Sequence, residues 1–260
     1  VQGKQDTLGI GFISNSRKAR NEEGAITVNL SSAERKVDFH YSVDTTPVDA
    51  LIQRISKKDF LKGDVSYTVD LHTSGNHWGD VQRNLAGTIA IQSDSLDLFG
   101  IDIDDALTKY EKSQKFNLAD LGAIVLVGPV GIVATKGSDF VALATIDVNN
   151  RERTHIQQLL AQWKLEDRVL QTTDVAFATQ KNRIAFNGAI DFARDSIAGV
   201  QIAVVDKNGC SLMDQPIYGK FSAVKTGKLN ITKTLFGSVI NFVDAIAGKD
   251  CKPVYTGRVK

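Results

Sequence analysis

What most constrains this chain is an alternation of apolar and polar residues with a period of two. It is renewed segment after segment, with short polar turns between. Ile26, Val28 and Leu30 alternate with polar residues, "SSAERK" turns the chain, and Val37, Phe39, Tyr41 and Val43 repeat the pattern. Successive side chains of a strand point to opposite faces, so this pair reads as a hairpin with one wet face. Val65, Tyr67, Val69 and Leu71 follow, then Ile89 with Ile91. After a break around 149–170 the alternation returns in Val175 and Phe177, in Ile184, Phe186, Ile190 and Phe192, in Val200, Ile202 and Val204, and in Ile217 and Phe221. "KNG", 207–209, marks a tight turn between the last two runs. The connections are too short for the crossovers that parallel strands need, so the sheet is expected to be an antiparallel meander.

Three segments carry a helical period instead. "TTPVDALIQRIS" offers Thr46 as an N-cap and Pro47 as the first helical residue, with Val48, Leu51, Ile52 and Ile55 on one face. "THIQQLLAQW" places Ile156, Leu159, Leu160 and Trp163 at i, i+3, i+4 and i+7. "TLFGSVINFVDAIAG" lines up Leu235, Val239, Val243 and Ile246 ahead of Gly248. Short one-sided helices such as these are expected to pack on the sheet. "PVDALIQRI" and "IDIDDALTKY" share an Asp-Ala-Leu core, an echo too brief to define a repeat. The fold class expected is α+β and β-dominated, a curved antiparallel meander with a few short amphipathic helices packed on it. It forms one domain over 1–260, with a sub-boundary near 148–155.

Charge and cysteine content narrow the function classes. Lys and Arg number 31 against 30 Asp and Glu, a formal charge of +1, so no basic excess points to nucleic acid. An apolar content of 42% supplies a sizeable core. No run of about 18 apolar residues exists to cross a bilayer as a helix, and no signal peptide opens the chain. "VQGKQDTLG" reads as an arbitrary cut, and a fragment with its targeting segment upstream is expected. Cys210 and Cys251 are the two cysteines, without a CxxC pattern or a Cys/His cluster, which argues against zinc. In a cytosolic protein they would be buried thiols. In an exported one they would form a disulfide closing a loop of about 40 residues.

The polar clusters read as structural. Residues 85–107 hold five Asp. Asp94 and Asp97 fall in and just after the turn "QSDS", where Asp satisfies local backbone donors. Asp102, Asp104 and Asp105 stand where a helix begins and oppose the positive end of its dipole. Nothing fits the EF-hand spacing. "DLHTSGNHWGD", 70–80, gathers His72 and His77 across a Ser-Gly-Asn turn, and a polar loop joining two strands is the expectation there. No nucleophile elbow, phosphate loop, dinucleotide fingerprint or His-Glu-x-x-His motif occurs, and "LGIGF" lacks the third glycine. Hence no catalytic residue, no metal ligand and no cofactor is assigned. The run "LGAIVLVGPVGIVA", 121–134, is expected to be core, with an apolar surface for lipid or a partner as the alternative. Lys112, Lys115 and Lys136 flank it.

A serial order of phrases carries a resemblance. "LAGTIAIQSDSLDLFGIDID" runs into "DALTKYEK", then come "FNLADLGAIVLVGPVG" and "ATKGSDFVAL", then "TTDVAFATQKNRIAFNGAIDFARDSIAG" and "QPIYGKFSAV". Over roughly residues 40–225 the chain resembles the C-terminal region of the AsmA family of bacterial envelope proteins. The resemblance implies a periplasmic protein of the Gram-negative envelope, tethered to the inner membrane in its full length. It further implies a role in outer-membrane biogenesis and a curved sheet with an apolar trough that carries lipid. An oxidising periplasm would make Cys210 and Cys251 a disulfide. The late helix and the terminal "CKPVYTGRVK" depart from the simplest family picture.

The expected function is a non-enzymatic lipid-binding or lipid-conducting module whose partner is a phospholipid or glycolipid. The large side chains expected to face lipid are Phe39, Tyr41, Tyr67, Phe177, Phe186, Phe192 and Phe221. If the sheet instead closes on its helices, these form an ordinary core. A module that binds an envelope partner protein without lipid is the alternative. A metal enzyme would require His72, His77 and the Asp102–Asp105 carboxylates to converge.

Overall fold

Every run of period-two alternation becomes a strand, and neighbours in sequence become neighbours in space. The computed structural model describes residues 7–14, 20–30, 33–49, 60–113 (109–113 in backbone only), 152–231 and 251–260. Its strands are β1 (Thr7–Ser14), β2 (Arg20–Asn29), β3 (Lys36–Pro47), β4 (Leu61–Ser74), β5 (Ala86–Ser93), β6 (Leu96–Phe99), β7 (Arg153–Ile156), β8 (Gln158–Glu166), β9 (Val169–Ala178), β10 (Arg183–Asp191), β11 (Ser196–Val205), β12 (Ser211–Lys220), β13 (Ala223–Thr226) and β14 (Asn230–Ile231). The main sheet runs β1-β2-β3-β4-β5-β8-β9-β10-β11-β12-β13, with β14 also on β12 and all pairs antiparallel. The protein is thus α+β and β-dominated, an open antiparallel meander. Because β5 pairs directly with β8, the sheet is continuous across the break in the sequence pattern.

Between β5 and β8 the chain leaves the main sheet to build a cover. β6 pairs with the first three residues of β4, and β7 pairs with β6. Gly63, at φ +123°, stands where β4 passes from this small sheet into the large one. A Cβ there would lie 2.5 Å from the Ser95 carbonyl oxygen. Of the two helices with both ends among the described residues, α1 (Trp78–Arg83) buries nothing. The other, α2 (Ile103–Ser113), starts where the aspartates predicted: Asp102 accepts a hydrogen bond from the Asp105 amide at 2.9 Å. Asp104 accepts from Thr179 Oγ1 and Asn182 Nδ2, both at 2.6 Å, which ties the helix to the β9–β10 turn. Leu96, Leu98, Ile103, Leu107 and Ile156 from this cover share one core with Trp163, Phe177, Ile184, Phe186, Ile202 and Met213 of β8–β12.

The opposite face of β8–β11 is closed differently. Small residues Ala176, Ala178, Ala185 and Ala203 leave room for Tyr255 and Val259 of the terminal segment 251–260. Cys210 and Cys251 form a disulfide, with Cα atoms 6.1 Å apart, and such bonds persist in oxidising compartments. Beyond it, Val254 N donates to Gly209 O, Tyr255 Oη to Asp174 Oδ1 at 2.7 Å, and Arg183 Nη1 to Val259 O at 2.9 Å. Gly209, in the "KNG" turn at φ +78°, also sits too close to the Tyr255 carbonyl for any side chain. Burial, with the Asp174 hydrogen bond second, raises the Tyr255 phenol far above its ordinary range.

Three expectations need correction. Residues 154–163 are strands β7 and β8, not a helix: Leu160 faces the terminal segment while Ala161, Trp163 and Leu165 face the main core. A strand buried on both faces loses its period of two, and its apolar residues then imitate helical spacing. Thr46 and Pro47 do not open a helix. They close β3, Pro47 pairing with Asp64, and helical backbone begins at 48–49. The buried, β-branched Thr46 suits a strand end. The 70–80 segment is not all loop, since its first five residues end β4 and Trp78 begins α1. The remainder of the 46–55 helix, the 121–134 run and the 234–248 helix lie outside the described residues. Among the described residues no helix is long and apolar enough to cross a membrane.

Candidate functional site

Strand register decides which side chains share a face, and here it assembles a single apolar surface. Cα partners run Phe12–Gly24–Tyr41–Val69–Ile89–Trp163 from β1 to β8. The neighbouring row on the same face reads Ile10–Ile26–Phe39–Leu71–Gly87–Leu165. The intervening row, on the opposite face, reads Gly11–Ala25–His40–Asp70–Thr88–Lys164 and is polar. Six strands at a spacing of about 4.8 Å give each row a length of about 24 Å.

Along these rows the cover thins. Trp163 and Leu165 belong to the closed core, Ile89, Val69 and Leu71 are half-buried, and Ile26, Phe12 and Ile10 are 44%, 50% and 62% exposed. Among the described residues the closed core of β8–β12 therefore gives way, on the same face, to half-buried apolar side chains on β3–β5 and then to exposed ones on β1 and β2.

One polar group interrupts that surface. Glu22 lies one register row from Gly24, opposite Val43, whose own partner on β4 is Tyr67. Tyr41 donates its hydroxyl to Glu22 Oε1 at 2.5 Å, and Tyr67 donates to Tyr41 Oη at 3.3 Å. Burial, then the hydrogen bond to Glu22, drives the Tyr41 phenol far above its ordinary range, so it remains a donor. Around this chain the Tyr41 ring centroid lies 5.6 Å from Tyr67, 6.1 Å from Phe12 and 6.5 Å from Phe39. Gly24 makes the arrangement fit: a Cβ there would meet the Phe12 ring at 2.5 Å and the Tyr41 ring at 3.2 Å.

On the outer face, His40 Nδ1 meets Asp70 Oδ1 at 2.5 Å and its Nε2 lies 3.5 Å from Glu23. The Asp70 hydrogen bond raises the His40 pKa against a lowering by burial, and Glu23 adds to the rise. Among the described residues no three His, Cys, Asp or Glu are placed to hold a metal ion. His72 and His77 are both exposed, and Asp97 faces His155 at 3.1 Å across the small sheet.

Of the seven large side chains expected on the apolar face, Phe39, Tyr41 and Tyr67 lie on its open part. Phe177, Phe186 and Phe221 are buried in the closed core and Phe192 packs against it, so these four are covered by protein. Sequence reading missed Leu8, Ile10 and Phe12, although their period of two, with glycines between, was visible in "LGIGF". It also missed Glu22, which no apolar pattern flags, since its place on the inner face follows from pairing alone.

Among the described residues the fold defines a class: an open antiparallel meander, disulfide-closed at one end and bearing exposed apolar side chains at the other. Compared with protein-family models, curated proteins and solved structures, the chain has no match.

Proposed function

We propose that this chain is a non-enzymatic module that binds or conducts lipid in the bacterial envelope. The observation that carries the reading is the pair of apolar rows that leave the core at Trp163 and Leu165 and grow more exposed strand by strand toward Phe12 and Ile10. An acyl chain laid along such a surface gains about 0.8 kcal/mol for each methylene fully removed from water, with no specific polar contact required. The resemblance to the AsmA family supports a role in outer-membrane assembly and a periplasmic location, with the full-length protein tethered to the inner membrane. The disulfide agrees with an oxidising compartment. The test is native mass spectrometry of protein purified from an envelope fraction, followed by lipid extraction. Near-stoichiometric phospholipid or glycolipid is the expected result. Protein that arrives empty and takes up no lipid from liposomes overturns the reading.

A second reading has its own observation. β1 is the terminal strand of the sheet order among the described residues, and it carries eight residues without a charge, a proline or a bulge. Natural edges are usually protected by such devices. An envelope protein that adds a strand here would extend the sheet through main-chain hydrogen bonds, without lipid. Stoichiometric capture of a protein in place of lipid, lost in Ile10→Lys, would favour this reading.

A further inference from the structure

Glu22 is the one carboxylate seen among the rings of the open face, and its surroundings specify a ligand. We infer that Glu22, Tyr41 and Tyr67 seat the ammonium group of an amine-bearing lipid, such as an ethanolamine phospholipid, whose acyl chains lie along the adjoining apolar rows. The inference rests on the lipid-binding reading and names the headgroup class.

Three features converge. First, among the described residues the Glu22 carboxylate takes one hydrogen bond, from Tyr41 to Oε1, and no cation pairs with it. A carboxylate half withdrawn from water into an apolar surface gains from a positive partner, and a charge-assisted N–H···O bond is about twice as strong as a neutral one. Second, the rings of Phe12, Phe39, Tyr41 and Tyr67 cluster beside it with centroids 5.6–6.5 Å from Tyr41. Their faces attract cations. Third, the charge works against the alternatives: a purely anionic headgroup would meet Glu22 as a like charge. The Tyr67 and Tyr41 hydroxyl oxygens retain acceptor capacity, so an ammonium with three donors finds more than one partner. Gly24, which leaves room for the rings, is part of the same design.

The test uses the 260-residue chain and vesicles of equimolar phosphatidylethanolamine and phosphatidylglycerol with matched acyl chains. Protein re-isolated from the vesicles is extracted and its lipids are counted by mass spectrometry. Ethanolamine lipid enriched about tenfold over glycerol lipid is expected, a ratio that one charge-assisted hydrogen bond supplies. Glu22→Gln should reduce the enrichment below about twofold while total lipid uptake holds. Tyr41→Phe, which frees the carboxylate from its phenol but keeps the ring, should retain a preference and serves if Glu22→Gln does not fold. Equal uptake of both lipids by the unaltered protein overturns the headgroup inference and leaves lipid binding intact. Uptake of neither overturns lipid binding itself, and the headgroup inference with it.

Discussion

His40 illustrates how a single side chain on the polar face ties stability to pH. Asp70 holds it at 2.5 Å and raises its pKa above the ordinary histidine range. A raised folded-state value means that protonation favours the folded state. The contribution is therefore complete below the unfolded-state pKa of about 6.5, and it is lost as pH rises through the higher folded value. Because the imidazole side chain is 39% exposed, solvent screening keeps the effect small. Urea midpoints measured from pH 6 to 9 should fall across this window, and Asp70→Asn should flatten the decline. A slope unchanged by that substitution would remove the pair from the account.

At the scale of elements, the terminal segment is held by one covalent bond, side-chain contacts and a few hydrogen bonds rather than by a strand ladder. Tyr255 and Val259 cover alanines that could not close that face of β8–β11 themselves. The disulfide closes a loop with a sequence separation of 41, and cross-links of that span stabilise by about 4 kcal/mol in the chain-entropy description. Reduction, or Cys251→Ser, should lower unfolding free energy by roughly 2–4 kcal/mol, read from denaturation with and without reductant. A difference under about 0.5 kcal/mol would mean that the segment's hydrogen bonds alone hold it. The same elements show what the sequence could reveal. Strands with one wet face, such as β3 and β4, were legible because alternation survives when one side meets water. β8 was not, because Leu160 is buried on one side and Trp163 on the other. The rings of the open face were legible one by one, as Phe39, Tyr41 and Tyr67. Their union with Phe12 and Glu22 was not, because register joins residues on four different strands.

Across the whole molecule, burial is unequal. β8–β12 are covered on one face by β6, β7 and α2, with the terminal segment closing the other side of β8–β11, whereas β1 and β2 keep large apolar side chains half in water. Opening free energies should follow that gradient. Hydrogen exchange followed by mass spectrometry should find amides of β9–β11 protected close to the limit of global unfolding, and amides of β1 and β2 exchanging through smaller openings. Uniform protection over the sheet would contradict it. Saturating lipid should slow exchange in β1–β3 first.

The next-neighbour order of β1–β5 has an evolutionary consequence. β1, β2 and β3 pair only with the strands beside them, so one more hairpin at the β1 end would lengthen the apolar rows by about 10 Å without disturbing β8–β12. Selection can then adjust reach by duplication or loss of hairpins while leaving the anchored end alone, and descendants of such a chain would differ more in length than in their core.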